Sequence, residues 1–232
     1  MSRMLLALEG IAGAGKSTLR DRLLSAAMPE DIRLGHIGQF AWLSLEATRT
    51  LTGLRAGRPA PTGEQALSAA RRDLELHACH NLAPALSLGP VVADRLTLST
   101  ACLLALLHDR PVADYVRNLA EVTPVRAELT VLLTTEPELC HARLSQRATS
   151  RRFGEAPPTA ARLADLYEQA ATAWTETTGL PVLRHPCTAE PDLDLLTAAC
   201  LDQLRAAAPR TARILEEPPH APAPLSPRRL GP

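Results

Sequence analysis

Gly10 and Gly15 are followed at once by Lys16 and Ser17, so that Gly10-Ile11-Ala12-Gly13-Ala14-Gly15-Lys16-Ser17-Thr18 fits the pattern G-x-x-x-x-G-K-[ST] at every fixed position. Glycines at 10, 13 and 15 let successive backbone N–H groups converge on one centre and let a bulky anion approach them closely. A helix beginning here adds the positive end of its dipole. Residues of these types suit the phosphates of a nucleotide, with Gly10, Ala12, Gly13, Ala14, Gly15 and Thr18 supplying the backbone cradle. Lys16 would reach the β- and γ-phosphates, and the Ser17 hydroxyl would ligate Mg²⁺. Lys16 is the only lysine in a chain whose other strong cations are all arginines. A slim ammonium threads among phosphates where a planar guanidinium does not fit.

Such a loop works only between a strand and a helix. The apolar run Met4-Leu5-Leu6-Ala7-Leu8 predicts the strand, and Leu19, Leu23 and Leu24 recur at helical spacing after it. Further along, short apolar runs at 33–37, 89–95, 129–134 and 181–185 predict four more strands. Helices are predicted over 43–54, 64–88, 98–107, 112–120, 136–148, 159–178 and 192–207. Strands alternating with helices imply an α/β fold of three layers, a central five-stranded parallel sheet with helices on both faces. Residues 1–208 read as one domain, and the Pro- and Arg-rich stretch 209–232 as a disordered tail.

Composition narrows the partners. The formal net charge is zero and the charges are interspersed, so no basic stripe points to nucleic acid or to an anionic membrane. The five cysteines form no C-x-x-C pair, which argues against a zinc site and a disulfide framework. With no apolar segment of membrane length and no secretory signal, the chain is expected in the cytoplasm. Aromatic residues make up only 3% of the chain, yet Phe40 and Trp42 follow the second predicted strand directly; they could stack on a base or simply pack into the core.

Two more groups discriminate among proteins with a phosphate loop. Asp94-Arg95 ends a predicted strand, and Arg143 and Arg147, four apart on the helix predicted over 136–148, are followed by Arg151 and Arg152 in the break before the next helix. A GTPase base-reading loop of the form Asn-Lys-x-Asp is excluded, because the sole lysine is Lys16. With Leu8-Glu9-Gly10, Ala93-Asp94-Arg95-Leu96-Thr97, Glu136-Pro137-Glu138-Leu139 and the arginine segment, residues 1–204 resemble the thymidylate kinase family of P-loop nucleotide and nucleoside kinases. The resemblance implies a P-loop kinase fold using ATP and Mg²⁺, with a lid at about 143–158. By that resemblance Asp94 helps hold Mg²⁺ through water, and Arg95 contacts the phosphate of the acceptor. Arg72, or its neighbour Arg71, would be the second acceptor-phosphate arginine. Arg143, Arg147, Arg151 and Arg152 would close over the transferring group, and Thr188 would fall in the adenine-contacting loop. The resemblance also implies a homodimer, with the apolar stretch 101–107 as its interface or else as core.

The chain departs from that pattern at two places. Ala12 stands where the family carries an acid that grips the sugar of the acceptor, and Gly35-His36-Ile37-Gly38-Gln39 stands where it carries Arg-Glu-Pro-Gly. An alcohol acceptor needs a general base, whereas a phosphate is already an anion. The first acid after residue 33 is Glu46, which favours a nucleoside monophosphate acceptor, although Asp94 could serve as base. The alternatives are a nucleoside or other small-alcohol kinase, and a P-loop protein that binds nucleotide without catalysis.

Overall fold

The computed structural model describes residues 4–147 and 152–207. Its centre is a five-stranded sheet of order β2-β3-β1-β4-β5, in which every paired strand is parallel. The strands are β1 (Leu5–Glu9), β2 (Gly35–Gly38), β3 (Val91–Asp94), β4 (Leu129–Leu133) and β5 (Val182–His185). All five residues of β1 are buried, because strands lie on both its edges and helices on both its faces; the edge strands β2 and β5 are partly exposed. That is the burial expected of a parallel sheet covered on two sides.

The helices are α1 (Lys16–Ala27), α2 (Leu45–Arg55), α3 (Gly63–His77), α4 (Ala83–Leu88), α5 (Thr97–His108), α6 (Val112–Ala120), α7 (Pro137–Ser145), α8 (Pro157–Thr178) and α9 (Glu190–Ala207). Side-chain caps start two of them: Ser44 accepts from the Ala47 amide before α2, and Thr62 from the Gln65 amide before α3. The helix predicted over 64–88 is not uniform. It runs as α3, one wide π-turn over Ala78–Leu82, and α4, with the Ala83 amide reaching back to the Ala78 carbonyl. Pro84 explains the change, since it has no N–H to donate and its ring crowds the carbonyl four residues earlier.

Helix α5 packs against α6 and α8, and Ala101, Cys102, Leu104 and Ala105 are buried within the chain. The stretch 101–107 is therefore core, with Leu103 and Leu107 partly buried against the same cluster. Among the described residues no helix is long and apolar enough to cross a membrane. The segment 209–232, read from sequence as a tail, lies outside the described residues.

Candidate active site

The loop between β1 and α1 is held in shape by close approaches that only glycine permits. Gly10 has φ +131°, and a Cβ there would lie 2.6 Å from the Leu133 carbonyl oxygen at the end of β4. Gly13 has φ +84°, and a Cβ there would lie 2.6 Å from the Cys140 carbonyl oxygen on α7. The loop thus rests on neighbouring backbone at both points. Thr135 ties it further: its hydroxyl donates to the Ala14 carbonyl at 3.1 Å and to the Cys187 carbonyl at 3.2 Å.

Lys16 is buried and bends back over the loop, its Nζ donating to the carbonyls of Gly10 at 3.0 Å and Ile11 at 2.6 Å. Burial, aided by the charge of Arg95, pushes the ammonium well below its ordinary 10.5. Asp94 reaches the same place from the end of β3. Its Oδ2 accepts from the Ser17 hydroxyl at 3.4 Å and forms an ion pair with Arg20 at 2.9 Å. Arg20, one turn beyond Lys16, also pairs with Asp21. The oxygens of Ser17 and Asp94 are hard donors and fit Mg²⁺, which keeps several waters and takes its other ligands from phosphates. Among the described residues no group of three or more His, Cys, Asp or Glu forms a protein-only metal cage.

Glu9 and Arg95 form the floor beside this centre. The Glu9 carboxylate, fully buried, accepts from the amides of Leu96 at 2.9 Å, Leu98 at 3.1 Å and Ser99 at 3.1 Å, and from the Ser99 hydroxyl. It caps the N-terminus of α5 from another strand. Arg95, at φ +71°, sends Nη1 to the Gly10 carbonyl at 2.9 Å, the Ser99 hydroxyl at 3.1 Å and the Tyr167 hydroxyl at 2.7 Å. Burial pushes the Tyr167 phenol up, so it stays a neutral partner.

Above the loop lies a cleft of about 1430 Å³, lined by Lys16, Ser17, Asp94, Arg95, Arg143, Arg147, Arg152 and Thr188 together with Gln39, Phe40, Trp42, Thr48, Thr52, Arg55, Phe153, Leu163 and Tyr167. Single-ligand sites commonly span roughly 300–1,000 Å³, so this volume accommodates two small molecules side by side. Arg143 donates to the carbonyls of Gly13 at 3.4 Å, Cys187 at 2.9 Å and Thr188 at 3.0 Å. It joins the loop between β1 and α1 to the loop after β5. Thr188, whose amide and hydroxyl bond to Asp192, borders the cleft there. Arg151 lies outside the described residues.

Phe40 and Trp42 both line the cleft, with ring centres 4.9 Å apart at 54°. Phe40 is also buried in the core, so for that residue the two sequence readings coincide. Trp42 is held at φ +58° by Asp73, whose carboxylate accepts from the Ala41 amide at 2.9 Å and the Trp42 amide at 3.0 Å.

Arg72 is the correction. Its side chain is 60% exposed and pairs with Glu75 on the outer face of α3, and it does not line the cleft. Arg71 instead pairs with Glu121 and the Asn118 carbonyl. Buried Ala66, Ala69, Ala70, Asp73, Leu74 and His77 mark the inward stripe of α3, and position 72 is off that stripe. That spacing was the available signal. Sequence reasoning also missed Glu9 as a cap, Arg20 beside Asp94, Arg55, and Tyr167, which arrives from α8.

Compared with known proteins, the sequence matches no family model and no curated protein.

Proposed function

We propose that this protein is an ATP- and Mg²⁺-dependent kinase of the thymidylate kinase type, transferring a phosphoryl group to a nucleoside monophosphate or a similar small phosphate. The observation that supports this most directly is that Lys16, Ser17, Asp94, Arg95, Arg147 and Arg152, from four separate parts of the chain, line one cleft with room for two ligands. In this reading the loop amides and Lys16 hold the triphosphate, and a bound phosphate supplies the negative charge that the buried ammonium lacks. Ser17 and Asp94 would hold Mg²⁺, which neutralises charge on the β- and γ-phosphates. An acceptor oxygen forms the new P–O bond as the bridge from the γ- to the β-phosphate breaks and ADP leaves. Arg95 orients the acceptor, while Arg147 and Arg152, with Arg151, cover the equatorial oxygens whose charge is spread in the transition state. Arg143 acts here through the loops it joins. The partners are small nucleotides of the cytoplasm rather than nucleic acid or a membrane.

A coupled ADP-release assay with Mg²⁺, ATP and a panel of nucleoside monophosphates and nucleosides tests this. Turnover is expected with a monophosphate, and Lys16→Ala should abolish it while leaving the circular dichroism spectrum unchanged. Wild-type turnover in that variant would sink the site assignment.

A further inference from the structure

Two polar atoms in the core have no protein partner among the described residues. Trp174, on the buried face of α8, is 1% exposed, and Thr97, the first residue of α5, is 3% exposed. The indole Nε1 and the hydroxyl Oγ1 are both buried without a hydrogen bond. Folded proteins rarely keep such atoms unpaired, because each has given up its bonds to water and gained nothing in return. Here the two residues border one space. A cavity of about 10 Å³ is walled by Glu9 of β1, Thr130 of β4, Thr97 and Trp174 among apolar neighbours. Thr130, itself buried, brings a second hydroxyl-bearing side chain to that wall.

The chemistry of the wall selects the occupant. An indole N–H only donates, so whatever pairs with it must accept. A metal cation or an ammonium ion accepts nothing. An anion is disfavoured by the Glu9 carboxylate on the same wall. Glu9 is not itself the missing acceptor, since each of its oxygens already takes two hydrogen bonds, from Leu96 and Leu98 and from the amide and hydroxyl of Ser99. What remains is a neutral molecule that accepts and donates, and the volume suffices for one water.

We propose that this cavity is the binding site of one ordered internal water, which accepts from Trp174 Nε1–H and pairs with the hydroxyls of Thr97 and Thr130. Three partners is the usual number for a buried water. The site joins α8 and β4 to the first turn of α5, the same turn whose amides Glu9 caps, so that turn is held from two sides. It does not depend on the kinase reading.

The test is a crystal structure of the full chain at a resolution that shows ordered water, with thermal unfolding of two variants alongside. One water should lie within about 3.2 Å of both Trp174 Nε1 and Thr97 Oγ1. Thr97→Val keeps the branched shape and takes a partner from the water, so Tm should fall by about 2–4 °C. Thr97→Ser keeps the hydroxyl and should retain the water. In a dry cavity valine would instead remove an unpaired hydroxyl and raise Tm. No water density beside Trp174, or a Tm that is unchanged or higher in Thr97→Val, overturns the proposal. In solution, the Trp174 indole proton, identified as the signal lost in Trp174→Phe, should cross-relax with a long-lived water, and its failure to do so overturns the proposal equally.

Discussion

Glu9→Ala should be the most damaging single substitution in the floor of the cleft. Oε1 of Glu9 accepts from the Leu96 and Leu98 amides, and Oε2 from the Ser99 amide and hydroxyl. Truncation leaves three amides without an acceptor in a region closed to solvent, while the Ser99 hydroxyl keeps the Tyr167 hydroxyl at 2.6 Å. At about 1 kcal/mol each, the lower end of the usual penalty, the loss is roughly 3 kcal/mol. The lower end applies because the space already beside Glu9 is about 10 Å³, and a truncated side chain would enlarge it enough to admit further water. For a chain of this size that corresponds to a fall in Tm on the order of 6–12 °C. Glu9→Gln behaves differently: it keeps an oxygen for Leu96 and Leu98 and removes a buried charge, so its cost should stay within about 1 kcal/mol. Burial raises the Glu9 carboxyl above its ordinary 4.5, with the Ser99 hydrogen bond and the charge of Arg95 opposing. A carboxyl with a higher pKa folded than unfolded adds stability that is fully present below 4.5 and is lost as pH rises through the folded value. The stability advantage of wild type over Glu9→Gln should therefore shrink from acid pH toward neutrality. Urea denaturation of the three proteins across that range reads all of this. An Ala variant within about 1 kcal/mol of wild type, or a gap to Glu9→Gln that widens with rising pH, refutes the buried-cap argument.

Two further predictions concern the proposed Mg²⁺ site and the loops that Arg143 joins. Arg20→Gln releases Asp94 from a partly buried ion pair worth about 1 kcal/mol, so Mn²⁺ should bind roughly fivefold more tightly in a paramagnetic resonance titration; unchanged or weaker affinity would show that Arg20 does not compete with the cation. Arg143→Ala removes three bonds to loop carbonyls and should lower thermal stability by about 2 kcal/mol along with the affinity for an ATP analogue. Loss of affinity with unchanged stability would mean that Arg143 acts only on the nucleotide.

The parts of the protein legible from sequence are those governed by local rules. The loop around Lys16 is written in contiguous residues with a strand before it and a helix after it, and all five strands are where apolar runs predict them. The π-turn before Pro84 was not read, because a continuous helical pattern runs through it. The family resemblance points to Arg72 or its neighbour Arg71, but a helix turns about 100° per residue, so an error of one position points a side chain to another face. Asp73, next to it, is the residue that faces inward and holds the Trp42 amide.

Sequence alone determined the fold class and the glycine-rich loop that carries Lys16 and Ser17, since hydrophobic period and motif spacing are properties of neighbouring residues; the roles expected of Asp94 and Arg95 came from the family resemblance. Only the tertiary structure decided which distant side chains meet. Glu9 reaches the start of α5 because β1 and β3 pair in register, with Leu8 opposite Asp94. Tyr167 comes to Arg95 because α8 packs on α5, and Arg152 comes beside Arg55 because Phe153 fits against a glycine. Contacts of this kind are set by packing between elements far apart in the chain, and no spacing within one element encodes them.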